Sequence, residues 1–342
     1  NSVSILNTIN FKDFRTDEKH NPEKIDFYAL NNNYKICDLD ITQFNYEGIN
    51  YTSLKRSSLI KFLSEKFLSN EIQFNKIIKK INCSESKIEI LFQDNSFDIV
   101  DYLVISDGIF SPTKSILFKK DIKVNYTGSL AIRGILKKES FNFFNKKNIS
   151  ILFGPNFHLV IYPLNKQNEF NLIFIIKKNL SEEVLSNYNY FKDKSNTEKI
   201  INDLKFKINK NVKNLLNNAE NLRSFPIFSS DKIREPNQKN IFMIGDALFA
   251  SPPTFAQGAS QSIESAYELF KILDESNADI FKKYYINRIK RIKMVNQRSK
   301  LNYFVFHLSN PVLVLLRNTV LKVLVSNKKF LNKYLGEIYI KK

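Results

Sequence analysis

Two apolar runs of the same build, Tyr102-Leu-Val-Ile-Ser-Asp-Gly108 and Asn240-Ile-Phe-Met-Ile-Gly-Asp246, set the tightest limit on how this chain folds. Each reads as a buried strand that breaks into a turn carrying an acidic residue and a glycine. A carboxylate and a glycine at the carboxyl end of a buried strand mark the place where open α/β sheets hold ligands. The two runs lie roughly 140 residues apart, so whatever lies between them is inserted into one sheet-and-helix domain.

The rest of the chain fits that frame. Asn1 to Phe11 and Ser57 to Phe67 have helical apolar spacing, and strands are expected near Ile25 to Leu30 and Tyr34 to Asp38. Glu71 to Ile81, Lys87 to Phe92 and Ser96 to Val100 read as short strands, with a turn over Asn82 to Ser86. Strand-like runs at Gly128 to Leu136, Ile149 to Phe153, Leu159 to Pro163 and Asn171 to Ile176 predict a mainly antiparallel sheet, followed by a charged helical stretch over Ser181 to Ala219. Gln257-Gly258 opens a helix with apolar positions Ile263, Ala266, Tyr267, Phe270 and Leu273, and residues 279 to 342 are basic and helical.

The 342 residues carry 52 Lys and Arg against 34 Asp and Glu, a net charge of +18. Lysines are spread evenly among abundant Asn and Ile, which reads as a chain-wide bias; no nucleic-acid motif accompanies the charge, and peripheral contact with an anionic membrane stays open. Two cysteines cannot build a disulfide framework, and His20, His158 and His307 are too scattered for a metal cluster, so a reducing, cytoplasmic setting is expected and no metal. Apolar stretches such as Pro311 to Leu316 are cut by Arg317 and Lys322, well short of the ~18 residues of a membrane span. The chain starts at Asn1 with no signal pattern, and it is read as a fragment whose natural N-terminus lies upstream.

None of the eight glycines is spaced as G-x-G-x-x-G. Instead, Leu103-Val-Ile-Ser-Asp-Gly-Ile-Phe-Ser-Pro-Thr-Lys114 resembles the A-D-G-x-x-S-x-x-R element of the FAD-dependent aromatic-ring hydroxylases, the group A flavoprotein monooxygenases. Gly245-Asp-Ala-Leu-Phe-Ala-Ser-Pro-Pro253 with Ala256-Gln-Gly258 and Ile263-Glu-Ser-Ala266 resembles their G-D-A-A-H-x-x-x-P…Q-G…E-D-A element. Arg56 followed by Leu59 resembles the family's R-x-x-L helix start, and Arg133-Gly134 after Tyr126 and Gly128 resembles a strand of its substrate domain. His158-Leu-Val-Ile-Tyr-Pro163 resembles the H-x-x-x-Y-P strand of the salicylate and 3-hydroxybenzoate hydroxylase branch, and Arg288-x-x-Arg291 with Phe306-His-Leu fits the same branch. Three positions depart from the pattern: Lys114 for Arg, Phe249 for His and Ser265 for Asp.

The resemblance implies an α/β fold: a Rossmann-like FAD-binding domain over 1–15, 52–118 and 239–278 that lacks its first β-α-β unit, an interleaved β-rich substrate domain over 16–51 and 119–238, and C-terminal helices over 279–342. It implies FAD as cofactor and NAD(P)H as reductant. Arg56, Asp107, Gly108, Gly245, Asp246, Pro253, Gln257 and Gly258 are then cofactor-binding: Asp246 for a ribityl hydroxyl, Gly245 for close backbone approach, and the helix start at Gln257 and Gly258 for the pyrimidine edge of the flavin. The implied reaction is hydroxylation of a small phenol or aromatic acid by dioxygen through a flavin C4a-hydroperoxide. A ubiquinone-pathway ring hydroxylase, a polyene epoxidase and a non-catalytic flavin-binding relative remain as alternatives, as do a homodimer and a place at the inner face of a membrane. His158 and Tyr162 stand four apart on one strand face, about 13 Å along it, as the expected catalytic base and orienting group. Turnover should then rise with pH through a histidine pKa near ~6.5, and His307 is expected to be structural.

Overall fold

The computed structural model describes residues 1–29, 34–68, 70–84, 86–165, 168–204, 208–275 and 279–339. Leu30 at the end of an expected strand, Glu85 in an expected turn, 205–207 in the charged helical stretch, 276–278 at the end of the segment expected over 239–278 and 340–342 at the end of that over 279–342 lie outside the described residues. The main strands in chain order are β1 (Lys24–Ala29), β2 (Tyr34–Asp40), β3 (Ile78–Cys83), β4 (Ile88–Phe92), β5 (Phe97–Val100), β6 (Leu103–Ile105), β7 (Val124–Lys137), β8 (Ile149–Gly154), β9 (Phe157–Pro163), β10 (Glu169–Lys177), β11 (Glu220–Ser230) and β12 (Ile241–Met243). The main helices are α1 (Ser2–Asn7), α2 (Arg56–Ser64), α3 (Pro112–Phe118), α4 (Gly258–Asp274), α5 (Ile280–Phe306) and α6 (Pro311–Ser326).

The two apolar runs pair with each other. β12 lies parallel to β6 in the register Leu103↔Ile241 and Ile105↔Met243, so both strand-end turns emerge on one edge. Ile241, Phe242 and Met243 are fully buried, packed with Ile105, with Ile88 and Ile90 of the β3-β4-β5 sheet, with Leu269 and Ile272 of α4 and with Tyr284 and Tyr285 of α5. This is the mixed α/β layer that the strand-turn signals imply.

Five strands of the insert join β1 and β2 in a seven-stranded sheet of order β11-β7-β10-β9-β8-β1-β2, antiparallel except for β8 beside β1. Alternation along β7 sends Leu130, Ile132 and Leu136 to one face, where they meet Leu159, Ile161, Leu172 and Phe174 and the buried sides of helices Lys194–Asp203 and Lys210–Asn217. The opposite face packs Phe27, Ile149 and Phe153 against α5, α6 and the chain around Leu331 to Ile338.

Three local expectations change. The strand expected over Glu71 to Ile81 is formed only from Ile78, because β4 offers partners no further than the Ile78↔Phe92 pair and Phe74 stands exposed. Residues 220–230, not expected as a strand, form β11: Arg223, Ser224 and Pro226 hide the alternation, and register shifts either side of them let an edge strand carry the proline. The buried face of α4 is Glu264, Ser265, Leu269 and Ile272, while Ala266 and Phe270 point outward.

Candidate active site

The shared edge of β6 and β12 brings most of the expected cofactor residues together. Gly108 has φ +88°, a backbone that favours glycine, and a Cβ there would meet open space. Asp107 is exposed and accepts the Thr113 amide at 3.3 Å, at the start of α3, where the Ser111 side chain also accepts the Lys114 amide at 3.0 Å. Lys114 is buried and donates to the Ile109 carbonyl at 3.2 Å; burial pulls its ammonium pKa down, with Asp107 and then Asp246 among the charges that oppose this. The ammonium therefore serves as a local positive charge beneath both turns, where a guanidinium would have spread its donors in a fork.

Asp246, second in the one-turn helix Gly245–Leu248, is accessible, yet loss of hydration still raises its carboxyl pKa, opposed by the charges of Arg56 and Lys114. Arg56, the first residue of α2, is exposed and close enough to exert that pull. Carboxylate, guanidinium and ammonium thus converge from three separate segments.

Gly245 is also required by packing within the protein itself. Its φ is +54°, and a Cβ would strike the Ser262 side chain, so its missing side chain lets α4 close onto the strand end. The Gly245 amide donates to the Ser265 hydroxyl at 3.0 Å, and that hydroxyl donates to the Ser262 carbonyl at 2.9 Å. Ser265, one of the departures, thereby fastens the turn to α4. Phe249 packs apolarly against the core beneath the same turn.

Pro253 begins a single turn, Pro253–Phe255, ending in Ala256 at φ +51°. The buried Thr254 hydroxyl ties it to α5 by donating to the Ser299 carbonyl at 2.6 Å. This delivers Gln257 and Gly258 to the start of the 17-residue α4. Gln257 is buried, its Oε1 is without a hydrogen-bond partner among the described residues, and a Cβ on Gly258 would face open space. Free helix N–H groups, an unpaired buried acceptor and room in front of them fit a planar, polar-edged group such as a flavin.

The expected catalytic pair sits elsewhere on the sheet. His158 is 1% exposed, packs on Phe306, and its Nδ1 lies 2.9 Å from His307 Nε2. Burial, then the neighbouring His307, pushes its pKa well below the usual histidine range. His307, expected to be structural, is its buried partner: burial and then Lys177 bring it down to about 4. Tyr162 follows on the same face; burial raises its hydroxyl pKa, while the charge of Arg133 and a hydrogen bond with its cross-strand neighbour Asn171 work the other way.

Sequence reasoning gave no role to one feature beside Tyr162. Arg133 of β7 and Arg223 of β11 are directly paired across the strands, both exposed, and neither has a carboxylate partner among the described residues. Arg133 rests 5.9 Å over the Phe225 ring. Like charges opposite each other destabilise a sheet, so such a pair calls for an anion.

This is a mixed α/β protein whose polar turns gather at one sheet edge beside a large antiparallel sheet. In sequence the chain is a distant relative of the FAD-dependent aromatic hydroxylases, and it has their fold. It is 24% identical over 226 residues to a 3-amino-4-hydroxybenzoate 2-monooxygenase of Streptomyces platensis, covering 65% of this chain and 55% of that one. It is likewise 24% identical over 203 residues to the 3-hydroxybenzoate 6-hydroxylase of Klebsiella oxytoca, covering 56% and 46%. The matches therefore span about half the length of these curated relatives. A salicylate hydroxylase in a substrate complex superposes with TM-score 0.82 at 16% identity, over all of this chain and 86% of that one. Klebsiella pneumoniae HpxO, in complex with FAD and uric acid, gives 0.81 at 13% identity over 97% and 84%. No protein-family model matches the chain.

Proposed function

We propose that this chain is the larger part of an FAD- and NAD(P)H-dependent monooxygenase that hydroxylates a small phenol or aromatic acid. The observation that carries the reading is the parallel pairing of β6 and β12, by which Asp107-Gly108 and Gly245-Asp246 leave the same end of the two strands, with α4 closed onto Gly245. Arg56, Asp246, Gln257 and Gly258 would hold the FAD, with Pro253 shaping the loop and Lys114 supplying charge beneath. When bound, FAD would supply dioxygen activation, with NAD(P)H as the electron source.

On this reading the β7-β10-β9 face holds the aromatic ring, Tyr162 and Asn171 orient it, and the Arg133–Arg223 pair takes a carboxylate. His158, bonded to His307 and depressed in pKa, is neutral through the working range and acts as an orienting hydrogen-bond partner, which replaces its expected role as a titrating base. The Rossmann-like domain short of a β-α-β unit belongs to the same proposal: β6 pairs only with β12 among the described strands and leaves Val104 exposed.

The test is NAD(P)H-dependent oxygen uptake by the full-length gene product over a panel of phenols, aromatic acids, a long-chain polyprenyl phenol and a polyene. Stimulation and product with an aromatic acid, and a KM raised at least tenfold by Arg133→Gln, are expected. Product only from the polyprenyl phenol or the polyene would move the assignment to those chemistries, and flavin binding without turnover on any compound would make it a non-catalytic relative.

A further inference from the structure

α6 is built inside out. One of its two charged residues points in: Arg317 is buried, lies 4.4 Å over the Phe153 ring and donates to the Val305 carbonyl. Leu321 and Val325 pack inward, but most of its apolar residues point out: Val312, Leu315, Leu316, Val320 and Val323 stand exposed, Val312 at 73% and Leu315 at 68%. At 100° per residue these five fall within one arc less than half the helix circumference wide. Leu301 and Phe304, at the end of α5, add to the exposed apolar surface just before it.

The charge around this face is one-sided. From Ile280 to Gly336 the chain has thirteen Lys and Arg and no Asp or Glu. Several lie on the exposed side of α5, at Lys290, Lys293 and Lys300, while Lys322 is exposed on α6 and Lys328 and Lys329 follow its last turn. The even spread of lysine suggested by composition thus hides a segment with most of the molecule's surplus positive charge. An apolar helix face on a segment whose own exposed charges are all cations matches a surface that is apolar within and anionic at its rim. Some of these cations are buried or paired with carboxylates, but a second copy of this same segment would still set Lys290, Lys293, Lys300, Lys322, Lys328 and Lys329 against their like.

We propose that α6, with the end of α5, lies in the plane of an anionic lipid bilayer, its outward valines and leucines in the headgroup–acyl boundary and the flanking lysines on lipid phosphates. No helix among the described residues is long and apolar enough to cross a membrane, so the contact is peripheral. The proposal is independent of the flavin site and of the reaction assigned to it.

The experiment is flotation of the full-length, FAD-loaded protein with vesicles of phosphatidylcholine alone and of phosphatidylcholine with about one-third phosphatidylglycerol, at low and high salt. Binding to the anionic vesicles, weakened by salt, is expected. Lys328→Ala with Lys329→Ala should lower it roughly thirtyfold, at about fivefold per charge, and Leu315→Asn with Val323→Asn at least tenfold. Absence of flotation, equal flotation on neutral vesicles, or binding unchanged by both double variants would overturn the proposal. So would a dimer, seen by light scattering without lipid, that Leu315→Asn with Val323→Asn dissociates: the face would then belong to a second copy. Should the apolar double variant lose helix content by circular dichroism, the lysine pair decides.

Discussion

At the scale of single residues, the site is an arrangement of charges that would be costly without a ligand. Asp246 stands where hydration is already reduced, so its carboxylate is ready to accept hydroxyl donors. Asp246→Ala should raise the dissociation constant for FAD at least tenfold, since charge-assisted bonds are worth ~1.5 to 3 kcal/mol each; flavin fluorescence titration of the full-length protein measures it. The buried histidines act on stability. With His307 held near about 4 in the fold and near ~6.5 when unfolded, the unfolded chain takes up its proton first. Stability is therefore intact above pH ~6.5 and falls as the pH drops towards 4, by up to roughly 3 kcal/mol from this residue. Urea unfolding of wild type and His307→Gln from pH 7 to pH 4.5 tests the sign: the variant should show the shallower decline.

At the scale of elements, α4 and α5 are joined by buried ions. Arg291 grips Glu264 with two bonds of 2.9 Å, while Arg288 reaches Glu268 at 3.1 Å and the Gln261 side chain at 2.9 Å. Burial works against the charge on Glu264, yet the bonds to Arg291 and the charge of Arg288 outweigh it and hold the carboxyl below its usual range. Glu264→Gln takes the counter-charge from the largely buried Arg291, while Arg288 keeps Glu268, and should cost roughly 3 kcal/mol, read as a lowered urea midpoint. Much of this layer was legible in the chain itself. The paired strand ends, the α4 start and the Arg288-x-x-Arg291 spacing are local patterns, and local patterns survive without partners. What stayed hidden depends on distant partners: the His158–His307 contact spans 149 positions, the facing of Arg133 on Arg223 depends on the register of β11, and the inward turn of Glu264 and Ser265 is decided by what α5 and Gly245 present to them. Hydrophobic periodicity misplaced the α4 stripe for the same reason, because a buried polar network is silent in a pattern of apolar residues.

At the scale of the whole molecule, α5 ties the layers together. Its first half gives Tyr284, Tyr285 and Ile292 to the core around β12, and it adds Val295 to the core under the large sheet. Leu331, Leu335 and Ile338 complete that second core from beyond α6. Ending the chain after Asp274 would remove all seven side chains, each worth ~1.5 to 3 kcal/mol when buried, against a typical total stability of ~5 to 15 kcal/mol. The shortened protein should not fold, and circular dichroism with a flat thermal profile is the expected result; a cooperative transition would show that the sheets stand without the helices.

The pairing of β6 with β12 also has a cost during synthesis. The partner of Leu103 is Ile241, and at ~5 to 20 residues per second a ribosome needs roughly 7 to 30 s to make the chain between them. For that interval β6 has both edges free and Tyr102, Val104 and Ile105 uncovered, a short sticky strand waiting while five of the seven strands of the large sheet are translated. Nascent chains of this protein are therefore expected to be held by chaperones over a defined window, which opens as β6 leaves the exit tunnel and closes only when β12 follows it.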